Sequence, residues 1–172
     1  MKGNCSKLHR WDGSALALIK DRVSLTDPER TREIIEKDLT LDCDGSGGSG
    51  TQEKSPGTET IGDIQIEVIY DPAIPDAGPP TITNDHNHDL IVTDFDNETA
   101  TFWLIEYPDG TGVAIHAFVS EVGSAEITPN EEIKKTFTIT PTGAEGGFIR
   151  SNDIVNETLP GTPAAPVNYY SS

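Results

Sequence analysis

"TETIGDIQIEVIYDP", residues 58–72, alternates cleanly once past Gly62: Ile64, Ile66, Val68 and Tyr70 point one way and Gln65, Glu67 and Ile69 the other. That period of two is the mark of a β-strand with one face on a core. The segment before it, "DGSGGSGTQEKSPG" at 44–57, has four glycines in the six residues 45–50 and offers little that can pack. Set between strands, it reads as a long hairpin loop, and connections beyond about 12 residues are usually binding elements or disordered.

Upstream, Ala15–Ile19 is an apolar run that reads as a short strand followed by a turn, with a helix as the open alternative. Thr26 stands three residues before Glu29, with Pro28 between, which is a capping-box pattern and at face value starts a helix from Asp27 to Lys37. Only Ile34 and Ile35 are apolar inside that span, too few to anchor an amphipathic helix. The reading is therefore one helical turn at most, then a strand through Ile35, Leu39, Leu41 and Cys43 with Lys37 at its rim.

Downstream, residues 71–89 form a turn region in which Pro79 and Pro80 forbid a strand. A short helix is expected over His86–Phe95, capped by Asn84 or Asp85, with Leu90, Ile91 and Phe95 covering an edge or open face of a sheet. Strands are expected at Ala100–Tyr107 and Val113–Glu121, joined by a tight turn at Asp109-Gly110, and at Lys134–Thr140. About six strands, one helix and no βαβ rhythm predict a mainly β fold: an antiparallel β-sandwich or barrel with one short flanking α-helix and long flexible loops. The expected organisation is a single β domain over 1–150, with a flexible N-terminal segment 1–13 and the long loop 44–57, followed by a C-terminal extension or arm, 151–172. In that arm Ile154, Val155, Leu159, Tyr169 and Tyr170 are apolar enough to dock.

The chain has 172 residues, of which 34% are hydrophobic, and carries 29 acidic against 12 basic side chains for a net charge of -17. Such a charge argues against a protein that grips nucleic-acid phosphates. It suits either plain solubility or a surface that lies close to DNA without adhering to it, and composition does not choose between them. No apolar run approaches the roughly 18 residues of a membrane span, and "MKGNCSKLHRWDG" has no apolar leader region, so synthesis in a cytoplasm-like compartment without membrane insertion is expected.

Chemistry is sparse. Cys5 and Cys43 form no CxxC pair, and Cys43 reads as a small buried or half-buried apolar side chain. "DHNHD" at 85–89 could bring His86, His88 and two aspartates to a metal, against the plainer reading of a solvated loop in which Asp85 caps the helix. His116 is expected to be exposed or at a subunit contact, and His9 has no neighbour pattern. There is no EF-hand spacing, G-x-S-x-G, P-loop, HExxH or dinucleotide fingerprint. The expectation is a non-enzyme with no catalytic, metal or cofactor-binding residues and no cofactor.

With the segments in order, "TREIIEKDLTLD", a flexible loop, and then "SPGTETIGDIQIEVIYDP" resemble the tail tube (major tail) proteins of long-tailed phages. There a strand and glycine-rich loop lead through P-G-x-x-x-x-G-[DE]-[IV] into a Y-D-P or F-D-P turn, and Pro56, Gly57, Gly62, Asp63, Ile64, Tyr70, Asp71 and Pro72 match. "FWLIEYPDGTGVAIHAFVSEVG" is similar to the family's hairpin and "TFTITPTG" to its terminal strand, although "AFVSEVG" stands where many relatives carry F-x-G. The resemblance covers Thr31 to Gly143. It implies six subunits joining sheets in a ring, and rings stacking into a hollow tube that conducts DNA at infection.

On that resemblance, Asp44, Gly45, Gly47, Gly48, Gly50 and Lys54 become a candidate inter-ring loop, and Gln65, Glu67 and Ile69 face a lumen or a neighbour. Six copies at -17 each give -102 formal charges per ring, a field that would keep DNA moving. The implied partners are further copies of the chain, a tail initiator or baseplate, tape measure and tail terminator proteins, with genomic DNA passing through without specific binding. The implied location is the virion tail, after a stage in the host cytoplasm. The competing reading is an acidic adhesion or carbohydrate-binding β-sandwich using "DHNHD" and the long loops as its rim.

Overall fold

The computed structural model describes residues 6–38, 52–70, 87–124 and 127–159. The chain divides into two compact units, one made of residues 1–28 with 63–172 and the other of 29–62.

The larger unit holds β1 (Lys7–Trp11), β2 (Leu16–Ile19), β3 (Arg22–Leu25), β6 (Ile64–Ile69), α1 (His88–Asp96), β7 (Ala100–Glu106), β8 (Gly112–Ser124), β9 (Lys134–Pro141) and β10 (Phe148–Ser151), then a short 3-10 turn, Ile154–Asn156. The smaller holds β4 (Arg30–Asp38) and β5 (Gln52–Ile61). All strand pairing is antiparallel. The fold is mainly β with one short helix, as the alternation and turn residues predict, and neither sheet closes into a barrel.

The large sheet runs β2-β1-β7-β8-β9-β6-β3, with β10 also paired to β8. Its two end strands, β2 and β3, are joined by Lys20 and Asp21 alone, and Asp21 takes a left-handed φ of 53° to make the turn. Ile19 and Arg22 thus lie within about 11 Å of each other, and the sheet must curl until its ends meet at one side. Ladder bonding does not bridge them.

The concave side is the core. Leu8, Ile105 and Val113 form one cross-strand row, Arg10, Trp103 and Ile115 the next, and Ile64, Ile139 and Val119 a third. Ile66 and Val68 continue the buried series of β6, so the alternation of "IQIEVI" reports the core face as read. At about 25 cal/mol per Å² each such isoleucine or leucine contributes on the order of 2 kcal/mol. The opposite side of β7 and β8 is covered locally: Phe102, Leu104 and Ala114 pack with Ile154, flanked by Trp11, Leu16, Ile149 and Leu159. Gly112 permits this, because a Cβ there would collide with the Ile105 carbonyl and sit 2.8 Å from Ile154 Cγ2.

Several expectations are corrected. The N-terminal segment expected to be flexible as far as residue 13 contributes β1, an internal strand between β2 and β7. No helical turn follows Thr26; Arg30–Asp38 is extended because β5 supplies a continuous ladder that outweighs the capping pattern. Of the loop expected at 44–57, residues 52–57 belong to β5, and 44–51 lie outside the described residues, as do Leu39, Leu41, Cys43 and Cys5. The strand ending at Tyr70 is two strands: the chain leaves β5 at Ile61 and enters β6 at Ile64, crossing from one unit to the other through Gly62-Asp63.

The helix begins at His88 with Asn87 as its N-cap in the left-handed region, φ 63°, while Asn84 and Asp85 lie outside the described residues. Its buried face is His88, Ile91 and Asp94, and Phe95 is 41% exposed. Residues 151–159 begin the expected arm but sit on the core through Ile154; 160–172 lie outside the described residues.

Candidate functional site

The smaller unit is a two-stranded ribbon. Arg32 lies opposite Glu59 but Ile34 opposite Pro56, so β5 carries one residue more than β4 between these pairs, a bulge at Gly57-Thr58. Proline lacks the ladder donor and is tolerated at such an irregularity. A Cβ on Gly57 would sit 3.0 Å from Glu33 Cβ and 3.1 Å from its carbonyl oxygen. The Pro56-Gly57 pair therefore has a local physical reason: one residue breaks the ladder and the next lets the strands close.

Charged pairs lace the ribbon's surface. Glu59 accepts from Arg30 and, at 2.8 Å, from Arg32 Nη2, and Lys54 pairs with Glu36 at 3.0 Å. Such exposed pairs are each worth well under about 1 kcal/mol. Ile34 and Ile35 meanwhile are 64% and 45% exposed. A two-stranded ribbon without a core is marginal in isolation, so its exposed isoleucines are the most conspicuous unburied apolar pair among the described residues. Lys54, read from sequence as a loop residue, is a strand residue here; Asp44, Gly45, Gly47, Gly48 and Gly50 lie outside the described residues.

On the larger unit, β6 and β9 present their convex face. Gln65 is exposed opposite Thr138, Glu67 half-buried opposite Thr136, and Ile69 half-buried opposite Lys134. Glu67 lies 3.7 Å from Lys134, Thr140 Oγ1 donates to Ser120 Oγ at 2.8 Å, and Thr138 Oγ1 is 3.5 Å from Glu121. This face is rich in hydroxyls. Asp63 is exposed at the entry to β6, and Gly62 N donates to the Glu29 carbonyl at 2.7 Å. Tyr70, just past β6, donates its N–H to the Ile133 carbonyl, while Asp71 and Pro72 lie outside the described residues.

His86 of the metal candidate is likewise outside. His88 is fully buried, with Nε2 donating to the Lys20 carbonyl at 2.7 Å and its ring stacked on Tyr70 at 6.1 Å. No group of three or more His, Cys, Asp or Glu side chains capable of holding a metal is found among the described residues. His116, expected at the surface, is buried: its ring meets Phe102 edge-on at 5.2 Å and Nδ1 lies 2.8 Å from Thr142 Oγ1. Burial pulls its pKa below the ordinary imidazole value. The reason is the β9–β10 turn, which lays Thr142 and Gly147 over β8 through His116 O and N.

Sequence reading missed two charged contacts of β1. Arg10, on the concave side, grips Asp94 of α1 through Nε at 2.5 Å and Nη2 at 2.7 Å, which raises the guanidinium pKa against the opposing effect of burial. On the convex side His9 Nε2 and Lys7 Nζ reach the Glu106 carboxylate at 2.8 and 3.2 Å. The signal was present in "KLHRW", where Leu8 is the one aliphatic residue and His9 and Arg10 sit largely buried against carboxylates.

No protein-family model matches the chain, and no curated protein does. Solved structures do. A chain in the tail of an empty gene transfer agent particle, refined with C6 symmetry, superposes with a TM-score of 0.62 at 14% identity, covering 88% of this chain and 98% of that one. A chain of the native gene transfer agent virion gives 0.61 at 13%, covering 88% and 99%. A chain of the sheath–tube complex of an extracellular contractile injection system gives 0.54 at 14%, covering 85% and 87%. The fold is similar to that of chains in tail particles and contractile injection systems. The likeness takes in nearly the whole of the gene transfer agent chains.

Proposed function

We propose that the protein is a non-enzymatic structural subunit of a tail tube, which assembles as hexameric rings stacked into a hollow conduit for DNA. The observation that carries the reading is the near-complete cover of a chain from a gene transfer agent tail refined with C6 symmetry. Two features of the molecule support it. The ribbon leaves Ile34 and Ile35 exposed, and a two-stranded ribbon is marginal on its own, which suits contact with a neighbouring ring. The convex face of β6 and β9, carrying Gln65, Glu67 and Ile69, is polar and hydroxyl-rich, which suits a bore lining or a neighbour's polar rim. A charge of -17 per subunit repels a phosphate backbone, as a conduit should. Its partners are then the tail initiator or baseplate, tape measure and terminator proteins, in the virion.

Assembly must overcome like-charge repulsion. Raising ionic strength to about 0.5 M screens it to within a few Å. Negative-stain microscopy across concentration and salt should show monomers giving way to rings or tubes about a hundred Å wide, the width of six domain-sized subunits around a pore. Replacing Ile34 and Ile35 with Ser, or deleting Gly45–Gly50, should leave monomer circular dichroism unchanged and stop stacking. Persistent wild-type monomers, even with the cognate initiator, refute the tube reading.

A further inference from the structure

In so acidic a chain most described cations are neutralised by their own carboxylates: Lys7 by Glu106, Arg10 by Asp94, Arg30 and Arg32 by Glu59, Lys54 by Glu36, Lys134 by Glu67. Among the described residues, no carboxylate lies within ion-pair distance of Arg22 or Lys135. They are neighbours by register. Arg22 of β3 lies opposite Val68 of β6, and Val68 opposite Lys135 of β9, so the two cations flank Val68 in one cross-strand row. Two strand spacings put their backbones about 10 Å apart, and directly paired residues project to the same face.

The surroundings resemble an unfinished contact. Arg22 is half-buried and its Nε is shut off from water with no hydrogen-bond acceptor. Burial without a counter-ion holds its guanidinium below the ordinary arginine value, and a desolvated charge left without a partner is destabilising. Lys135 Nζ sits 3.9 Å over the ring of Tyr70. Beside them Val23, at the register shift between Arg22 and Ser24, is 48% exposed, and Ile133, whose carbonyl receives the Tyr70 N–H, is 41% exposed. Arginine and tyrosine beside exposed aliphatics is the composition of an interface centre.

We infer that the Arg22–Lys135 row, with Val23, Tyr70 and Ile133, is a socket for a carboxylate-bearing surface of a second copy of this chain. The inference rests on the self-assembly proposed above. Charge complementarity selects the occupant: a chain with 29 acids and 12 bases favours joining its own kind where an acid meets a cation that no carboxylate already neutralises, and here two such cations adjoin exposed apolar side chains. Val68 between them is fully buried, so one carboxylate meeting the outer ends of both half-buried side chains would complete the Arg22 guanidinium and shield Lys135.

The test mixes heavy-isotope-labelled and unlabelled full-length chains under assembling salt, couples amines to adjacent carboxylates with a zero-length carbodiimide, and reads the linked peptides by mass spectrometry. Lys135 is expected in mixed-isotope links to an Asp or Glu peptide. In parallel, Lys135→Gln and Arg22→Gln/Lys135→Gln should raise the concentration for half-assembly by about tenfold or more, with monomer circular dichroism retained. Asn97→Asp/Asn152→Asp, at exposed sites and equal in net charge to the double variant, should assemble as wild type. Links confined to single-isotope pairs would place the carboxylate within the same chain and overturn the inference, as would wild-type assembly of the Lys135→Gln chain. Rings that form without mixed-isotope links at Lys135 overturn the socket and leave the tube reading intact. Chains that never associate overturn both.

Discussion

Removing Asp94 tests how β1 and α1 are held to each other. The Arg10 fork donates two hydrogen bonds to its carboxylate, at 2.5 and 2.7 Å, and the side chains are 13% and 4% exposed. Breaking a buried pair from one side costs about 3–5 kcal/mol, because the surviving charge has lost both water and partner. Arg10 keeps some contact with solvent, so the lower end applies, about 3 kcal/mol for Asp94→Ala. For a chain of this size each kcal/mol moves the melting temperature by about 2–4 °C, which predicts a drop of about 6–12 °C. Arg10→Met strands the more deeply buried carboxylate and should cost at least as much. The double variant Arg10→Met/Asp94→Leu removes both charges together, so it should be less destabilised than the two singles combined, with a coupling of about 2 kcal/mol or more. Urea unfolding of the monomer, followed by tryptophan fluorescence with Trp103 as a buried reporter, measures all four corners of the cycle. Costs under about 1 kcal/mol that add within about 0.5 kcal/mol would refute the buried-pair account and assign the docking of α1 to Ile91 and His88.

Glu106 sets an acid limit. Burial raises its pKa, but hydrogen bonds from His9 and Lys7 prevail and hold it below the ordinary 4.5. A depressed folded value means that the associated stability is present above the unfolded value and lost as pH falls through the folded one; Glu106→Gln should therefore flatten the acid limb of a melting-temperature profile below about pH 5, and an unchanged limb would count against it. Gly112→Ala forces a methyl into the Ile105 carbonyl and against Ile154 Cγ2. Overpacking of this kind costs about 1–3 kcal/mol, and a chemical-denaturation midpoint equal to wild type would show that the 3-10 turn yields freely.

The sequence by itself determined the elements whose pattern is local. The alternation of Ile64, Ile66 and Val68 is buried as read, the Asp109-Gly110 turn joins β7 and β8, and the Ala15–Ile19 run holds β2. These follow from side-chain period and turn chemistry, which act over a few residues. Tertiary structure decided everything that depends on a partner distant in the chain. Lys7–Trp11 looks polar and terminal, yet it is an internal strand because Arg10 finds Asp94 and His9 finds Glu106, 84 and 97 residues away. Thr26 and Glu29 favour a helix start, but the ladder from Arg30 to Asp38 exists only because Gln52–Ile61 returns beside it. His116 in isolation is a polar strand residue, and only the β9–β10 turn buries it. Nor does composition disclose that Arg22 and Lys135 meet across Val68, since their juxtaposition comes from the register of three strands.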